Sequence, residues 1–516
     1  MVSTVVDIIR THADRDTPAL VFEGREISYR TLHARSSQVA QAMRAAGVTA
    51  GQRVAFLDKN RPEYFELLFG AAKLNTVCVC VNWRLAPREI VHVVTDAAAA
   101  ILFVGADLAD RIEQIEELLP GTRIIALDGH ARWEPYETWI GAQPADDPGV
   151  PATRDDTALQ LYTSGTTGTP KGAMLSNRNF FAMVSATSPV WGFHPGMVSI
   201  GVSPLFHIAG TGWNLMVMGF GGTVVLHREV DGEAILRDIG CYRVTHAILV
   251  PAILQLILAR RNEGMADPSS LETVVYGASP ISDRVLLDLF DAFDCKFMQG
   301  YGLTETSGAV TTLRAEDHDP SRPELLRSCG HPLDGVELRI VDPETGADRT
   351  VDGVGGVGEV WIRSDQVMTG YWRNPTATAE AIDADGWFRS GDAGYLRDGR
   401  LYLHDRVKDM IVSGAENIYP AEVENVLMSH PGVAEVAVIG VPHERWGETV
   451  KAIVVRSSGA QVTEAEIITH ARANLAHYKC PTSVEFVAEL PRNATGKILK
   501  RELREPHWHG HDRRIG

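Results

Sequence analysis

Between Tyr162 and Gly172 the chain reads YTSGTTGTPKG. Gly165, Gly168 and Gly172 let the backbone come close to a ligand, and their exposed N–H groups can surround phosphate oxygens. Thr163, Ser164, Thr166 and Thr167 add hydroxyl donors, and Lys171 adds a point charge. A strand-like run precedes this segment and a helix-like run is predicted to follow it. It is not a Walker A loop, because Pro170 stands where that motif needs its second glycine. Two other motif matches are set aside. Gly353-Val-Gly355-Gly-Val-Gly358 satisfies GxGxxG, but a strand-like EVWIR follows where a dinucleotide fold needs a helix, so it reads as a turn. Asn493-Ala-Thr495 is a glycosylation sequon without a secretory context.

Further clusters lie downstream: Tyr301-Gly-Leu-Thr304-Glu305-Thr306, Phe388-Arg-Ser-Gly-Asp392, Arg406 within HDRVKD, and Pro491-Arg-Asn-Ala-Thr-Gly496-Lys497-Ile-Leu-Lys500. Taken singly, Glu305 is a solvated glutamate, Asp392 and Arg406 are surface charges, and Lys497 is an idle lysine. Together with the Tyr162–Gly172 run, and in this order over nearly the whole chain, they resemble the adenylate-forming superfamily of acyl-CoA synthetases, nonribosomal adenylation domains and luciferases. The resemblance is to its acyl-CoA synthetase or fatty-acid–CoA ligase branch.

That resemblance implies an ATP-dependent ligase. The enzyme adenylates a carboxylic acid with release of pyrophosphate, then passes the acyl group to coenzyme A with release of AMP. It implies Thr163, Ser164, Gly165, Thr166, Thr167, Gly168 and Lys171 around the phosphates. Gly300, Tyr301 and Gly302 belong to the adenine segment, with Tyr301 stacking on the base and Thr304 meeting the α-phosphate. Glu305 holds Mg²⁺, with Thr163 as a second candidate; a hard carboxylate oxygen suits that ion. Asp392 and Arg406 face the ribose. Lys497 bridges the substrate carboxylate and the α-phosphate, so that Lys497, Lys171, Glu305 and Thr304 form the catalytic set. Lys408 takes the hinge position about which a C-terminal domain alternates between presenting Lys497 and presenting the 409–419 loop. Gly414, Ala415 and Trp446 are the residues expected along coenzyme A. The family carries a second glycine where this chain has Ala415, and the alternative for Trp446, within Glu444-Arg445-Trp446-Gly447, is a place in the core.

Ser203-Pro-Leu-Phe-His207 resembles the segment before the acyl pocket. His207 gates the carboxylate rather than acting as a base, since a carboxylate needs no deprotonation at neutral pH; the alternative is a satisfied core histidine. Gly277, Ala278 and Ser279, within Tyr276–Pro280, and Leu303 and Gly308 complete the wall. No lysine or arginine among them welcomes a second charge, so a hydrophobic monocarboxylate (fatty, alicyclic or aromatic) is expected. Two rivals remain at this stage: an adenylate former that serves a carrier protein or other acceptor, and a non-catalytic nucleotide-binding protein on the same scaffold. The absence of a carrier domain after residue 516 leans to a free thiol, and the presence of both Glu305 and Lys497 opposes the non-catalytic reading.

The elements that must position these residues alternate as βα units do. Ser28 caps a helix over Tyr29–Ala46, Glu63–Lys73 is helical, and strands are predicted at Val54–Leu57, Val77–Val81, Ile101–Val104 and Ile124–Leu127. The Pro-, Gly- and Asp-rich stretch 141–156 reads as a loop between two subdomains. Six more strands follow up to KFMQGYG. From 330 to 404 glycines multiply and strands shorten, and the last part is a compact α+β pattern. The pattern gives an α/β fold class, and the resemblance implies its organisation: a large N-terminal domain, 1–407, of two βαβ-type subdomains plus a small β-barrel-like unit, and a smaller mobile α+β domain, 408–516. The tail PHWHGHDRRIG reads as a disordered end.

With 516 residues, at least two structural units are expected. The formal net charge of −17 opposes a nucleic-acid binder. Val244–Ala259, interrupted by His246, Pro251 and Gln255, is too short for the roughly 20 residues of a membrane span. The N-terminus lacks a signal pattern, and six scattered cysteines form no CxxC pair. A cytoplasmic protein with free thiols is expected; a homodimer is left open.

Overall fold

Ser28 accepts a hydrogen bond from the Thr31 amide at 3.1 Å and starts the helix Tyr29–Ala45, where the cap was predicted. The helix Glu63–Lys73 packs against it. These elements belong to a computed structural model that describes residues 2–164, 170–261, 267–279, 281, 283–343, 345–350, 356–406, 409–413, 416–443, 445–492 and 498–508.

Two large sheets carry most of the chain. In the nine-stranded sheet, six strands run parallel in the order Lys296–Leu303, Thr273–Gly277, His246–Leu249, Val198–Gly201, Thr223–Leu226 and Pro18–Phe22. Antiparallel strands close its edges: Gly308–Leu313 then His331–Pro332 on one side, and Arg25–Ser28 on the other. The eight-stranded sheet is built mainly from parallel strands: Thr157–Ser164, Val77–Cys80, Arg53–Leu57, Ala99–Val104, Arg123–Ala126 and Glu134–Pro135. One apolar core joins the two sheets. It holds Phe56 and Phe103 of one sheet, Val224 and Met298 of the other, and Tyr29, Leu32, Phe65 and Phe69 of the two helices. Each such aromatic contributes about 1.5–3 kcal/mol by leaving water, so the layer fixes how the two sheets sit against each other.

The subdomain boundary differs from the sequence reading. The loop 142–156 is present, but the hairpin after it, Thr157–Ser164 with Pro170–Ser176, still belongs to the eight-stranded sheet. Conversely, the early hairpin Pro18–Ser28 crosses to the other sheet and pairs with Thr223–Leu226. Hydrogen bonding along strand edges, which local composition does not encode, decides both memberships. Cys78, Cys80, Cys329 and Cys480 are buried and all six cysteines are free.

The strands Glu337–Val341, Gly358–Arg363, Phe388–Arg397 and Arg400–Arg406 form a four-stranded antiparallel sheet. The GxGxxG run thus leads into a strand, while residues 351–355 lie outside the described residues. The C-terminal sheet pairs Val433–His443 with Gly447–Arg456 and adds Ser483–Val487 in parallel. The helices Pro420–Met428 and Glu464–Asn474 pack together, their apolar faces in one core with this sheet. The tail is a correction: as far as Trp508 it docks, with the Trp508 indole N–H donating to the Gly440 carbonyl at 3.0 Å. An indole that can bury its ring and satisfy its N–H outweighs the polar composition around it. Among the described residues, no helix is long and apolar enough to cross a membrane.

Lys73 is fully buried, its ammonium 2.7 Å from the His33 carbonyl and 3.0 Å from the Ser36 hydroxyl, and hydrogen-bonded to Ser37 as well. Burial lowers its pKa from 10.5 to about 7. Across that window the unfolded chain holds a proton that the folded chain does not, so stability rises with pH and is lost as pH falls toward 7. Thermal unfolding at about pH 7 and about pH 9 should show this increment in the parent and a flatter profile in Lys73→Met. Parallel profiles would assign the pH dependence elsewhere.

Candidate active site

Parallel strands collect their carboxyl ends, and the residues that follow them, along one edge of a sheet. Here two such edges meet. The strand Thr157–Ser164 delivers Thr163 from one sheet, and Lys296–Leu303 delivers the turn Thr304–Thr306 from the other. The Thr163 hydroxyl donates to Glu305 Oε1 at 3.0 Å, and the Tyr371 hydroxyl donates to the same oxygen at 3.0 Å. Among the described residues no donor reaches Oε2. Glu305 is only 8 % exposed, and its Oε1 is an oriented acceptor of two hydroxyls. The Met368 amide, donating to the Glu305 carbonyl at 2.7 Å, fixes the backbone beneath it.

The segment after the phosphate loop corrects the sequence reading: a strand, Pro170–Ser176, intervenes before the helix Asn177–Thr187. The loop is therefore the turn of a hairpin, with Thr163 opposite Lys171 and Ser164 opposite Pro170. Proline is tolerated as the first residue of a strand, and its Gly172 neighbour weakened the local signal. The Lys171 ammonium lies 5.3 Å from the centre of the Tyr371 ring, so Thr163, Lys171, Glu305 and Tyr371 form one group. A cavity of about 300 Å³ lined by His92, Asp96, Lys171 and Trp372 adjoins it. Gly165, Thr166, Thr167 and Gly168, and the side chain of Ser164, lie outside the described residues.

The glycines beside Tyr301 are required by close backbone approach. A Cβ on Gly302 would collide with the Gly308 carbonyl oxygen, and one on Gly277 with the Gly300 carbonyl oxygen. Gly277 and Gly300 face each other in register. A Cβ on Gly300 would stand 3.3 Å from the Trp191 ring, and one on Gly308 3.6 Å from the Met183 side chain. Gly308 itself has φ 126°, a backbone that favours glycine. Leu303 and Thr304 are half-buried, Ala278 and Ser279 are exposed, and Ala278 adopts a left-handed φ of 66°. The Tyr301 hydroxyl donates to Asp392 Oδ2 at 2.8 Å, joining the segments expected at adenine and at ribose. Asp392 pairs across strands with Arg406, whose side chain lies outside the described residues.

His207 sits at the N-cap of the helix Ile208–Gly219, its ring 4.6 Å from that of Phe206. Nε2 is shielded from solvent and has no hydrogen-bond partner among the described residues, so it is not a satisfied core histidine. Burial, with a smaller effect of the Arg84 charge, lowers its pKa to about 4, leaving a neutral ring at physiological pH. Trp446 is 43 % exposed, which removes the reading that places it in the core; the Arg445 guanidinium covers its ring at 4.4 Å. Lys408, Gly414, Ala415 and Lys497 lie outside the described residues.

Sequence reasoning missed Tyr371 and its neighbour Trp372. The Trp372 indole donates to the Asp96 carbonyl at 2.9 Å and stacks 3.3 Å under the Arg53 guanidinium. Their only local signal is a pair of aromatic residues after Gly370 in an otherwise polar turn.

Comparison with known proteins adds the family. The model described as "AMP-binding enzyme" matches residues 9–372, and "AMP-binding enzyme C-terminal domain" matches residues 422–497. The fatty acid–[acyl-carrier-protein] ligase ScoC of Streptomyces coeruleorubidus is 39% identical, over 99% of this chain and 98% of that protein. A feruloyl-CoA synthase of an Amycolatopsis species is 39% identical, over 93% of this chain and 94% of its own length. Among solved structures, ATP-bound MatB from Rhodopseudomonas palustris superposes with a TM-score of 0.88 at 29% identity, covering 98% of this chain and 99% of that one. With two sheets meeting at a glycine-rich hairpin and a buried glutamate, and with both family models matched in order, the chain belongs to the AMP-binding enzymes of the adenylate-forming superfamily.

Proposed function

We propose that this protein is an ATP-dependent acyl-CoA synthetase acting on a hydrophobic monocarboxylic acid. The observation that carries the reading is the junction of Thr163, Glu305 and Tyr371 beside Lys171, in which one carboxylate oxygen of Glu305 takes both hydroxyls and the other accepts from no donor among the described residues. A buried carboxylate with one oxygen saturated and the other open suits a hard divalent cation. Glu305, with Thr163 as the second candidate, would hold the magnesium ion, which would neutralise charge on the triphosphate.

In the first half-reaction an oxygen of the substrate carboxylate bonds to the α-phosphorus of ATP, and the bond from that phosphorus to the β-phosphate bridging oxygen breaks. Pyrophosphate leaves with that electron pair. Lys171 and the hairpin amides hold the phosphates. Lys497 neutralises the approach of two anions, and Thr304 faces the α-phosphate. Asp392 and Arg406 take the ribose, with Tyr301 against the base. His207, neutral and with Nε2 unpartnered, orients the carboxylate without competing for its charge. In the second half-reaction the coenzyme A thiol gives up its proton to solvent, its sulfur bonds to the acyl carbon, the acyl carbon–oxygen bond breaks, and AMP departs with that electron pair.

Residues 1–407 act as the nucleotide-binding domain, and 408–516 turn about Lys408 between the two steps. The apolar Trp191 and Met183 side chains behind Gly300 and Gly308 support a hydrophobic acid. A carrier-protein acceptor is the second reading, favoured by the name of the ScoC relative. A panel of fatty, alicyclic and aromatic acids assayed for AMP release with and without coenzyme A tests both. Release that depends on acid and on coenzyme A supports the first reading; indifference to coenzyme A supports another acceptor.

The loop Ser413–Asn417 gives a further test. Gly414→Leu should slow thioester formation at least about tenfold while leaving adenylation intact, because a branched side chain would obstruct a narrow thiol channel. Ala415→Gly should leave turnover equal or faster. Unchanged coenzyme A turnover in the first variant would remove this loop from the mechanism.

A further inference from the structure

At the opposite end of the nine-stranded sheet from the glycine-rich turns, His194, His246 and Glu272 converge. His194 lies in the loop before the strand Val198–Gly201, His246 opens the strand His246–Leu249, and Glu272 immediately precedes Thr273–Gly277. Adjacent strands hold the latter two in register, with His246 opposite Thr273. One ligand atom from each of the three lies within 4.8 Å of the other two. His246 is fully buried and therefore fixed, whereas His194 and Glu272 are partly open to solvent.

Both ring nitrogens of His194 face oxygen atoms, which leaves one position for a positive charge. Its Nδ1 lies 2.9 Å from the Pro195 carbonyl oxygen and its Nε2 lies 3.3 Å from Glu272 Oε2. A neutral imidazole has a single N–H. When that hydrogen serves Pro195, the Nε2 lone pair faces a carboxylate oxygen, and either a second proton or a metal ion between them relieves the repulsion. The spacing fits: ligands bonded at about 2.0–2.1 Å in a tetrahedral arrangement lie about 3.3 Å apart. His246 completes the set. Its ring packs edge-on to that of His194 with centroids 5.4 Å apart, Nδ1 is 2.9 Å from the Thr245 hydroxyl, and Nε2 is 3.2 Å from the Gly192 carbonyl. When one nitrogen ligates, the other keeps its oxygen partner, and such a partner fixes ring orientation and tautomer in metal-binding histidines.

We propose that His194, His246 and Glu272 form a binding site for a borderline divalent cation of the Zn²⁺ class, separate from the nucleotide site. Two imidazoles and one carboxylate select such an ion over Mg²⁺, which prefers oxygen ligands and its own waters. The cation ties the loop that carries Trp191, Phe193 and His194 to the start of two strands. That loop matters to the interior: Phe193 packs edge-on against Trp213 at 5.0 Å, and Trp191 backs Gly300. Binding to the folded state alone raises its apparent stability.

The test uses full-length, tag-free, metal-stripped protein titrated with Zn²⁺ by calorimetry without nucleotide, beside His194→Ala and Glu272→Gln. The C-terminal histidines and the exposed Cys241 bind metal equally in all three proteins and cancel in the comparison. The parent should take up one equivalent more than either variant, and excess Zn²⁺ should raise its melting temperature by an increment missing from both. Equal stoichiometry in the three proteins, with equal thermal shifts, would overturn the site and leave His194 and Glu272 as an ordinary ion pair. Because both variants alter partly exposed side chains, loss of fold is not expected, and circular dichroism verifies that.

Discussion

Replacing Lys497 with alanine should lower acid-dependent adenylation by about a hundred- to a thousandfold, the loss typical of removing one preorganised donor from a developing charge. The same variant should convert a supplied acyl-adenylate to the thioester at close to the parent rate. The effect is electrostatic. Joining a carboxylate to a phosphate brings two anions together, and a single ammonium between them weakens that repulsion at the point where the bond forms. In the proposed alternation the thioester step breaks the bond to phosphate and uses the 409–419 loop in place of Lys497, so it has no need of this charge. Measuring the two half-reactions separately, by pyrophosphate release and by consumption of synthetic acyl-adenylate, decides the matter. Equal loss of both would contradict the assigned role.

The second large effect is expected at Glu305. Glu305→Gln is nearly isosteric and keeps an Oε1 that can accept from Thr163 and Tyr371, so the junction of the two sheets should survive. What disappears is the negative charge and the open Oε2. At limiting Mg²⁺ the adenylation rate should fall about a hundredfold, equivalent to about 2.7 kcal/mol of barrier, and recover in part as Mg²⁺ is raised. Unfolding of the variant should match the parent. A lower melting temperature combined with a loss of rate indifferent to Mg²⁺ would make Glu305 a structural tie between the sheets rather than a cation ligand.

These two residues illustrate how differently parts of the site could be read from sequence. Glu305, Asp392 and the glycines around Tyr301 stand in contiguous motifs, and the resemblance of those motifs to the family is enough to single them out, whereas Lys497 lies outside the described residues. Several helices and strands of the scaffold were also legible, because apolar periodicity and caps are local: Glu63–Lys73 and Arg53–Leu57 fall where the pattern placed them. Tyr371 was not legible. Its hydroxyl meets Glu305 across 66 positions from a strand of two residues, Gly370–Tyr371, which has no periodicity to detect. The strand Pro170–Ser176 was hidden by its proline and glycine, and its pairing with Thr157–Ser164 supplies what intrinsic propensity does not. The exchange of the early hairpin to the second sheet, and the docking of Trp508 on Gly440, are tertiary choices of the same kind. The meeting of His194 with Glu272 spans 78 positions and involves no recognisable spacing.

Isotope exchange reports directly on whether the carboxylate is joined to the nucleotide. Incubated with ATP, Mg²⁺ and a suitable hydrophobic acid but without coenzyme A, the protein should move labelled pyrophosphate into ATP at a rate that depends on the acid and collapses in Lys497→Ala. Failure of any acid in a broad panel to support that exchange would contradict the adenylation on which the whole account rests.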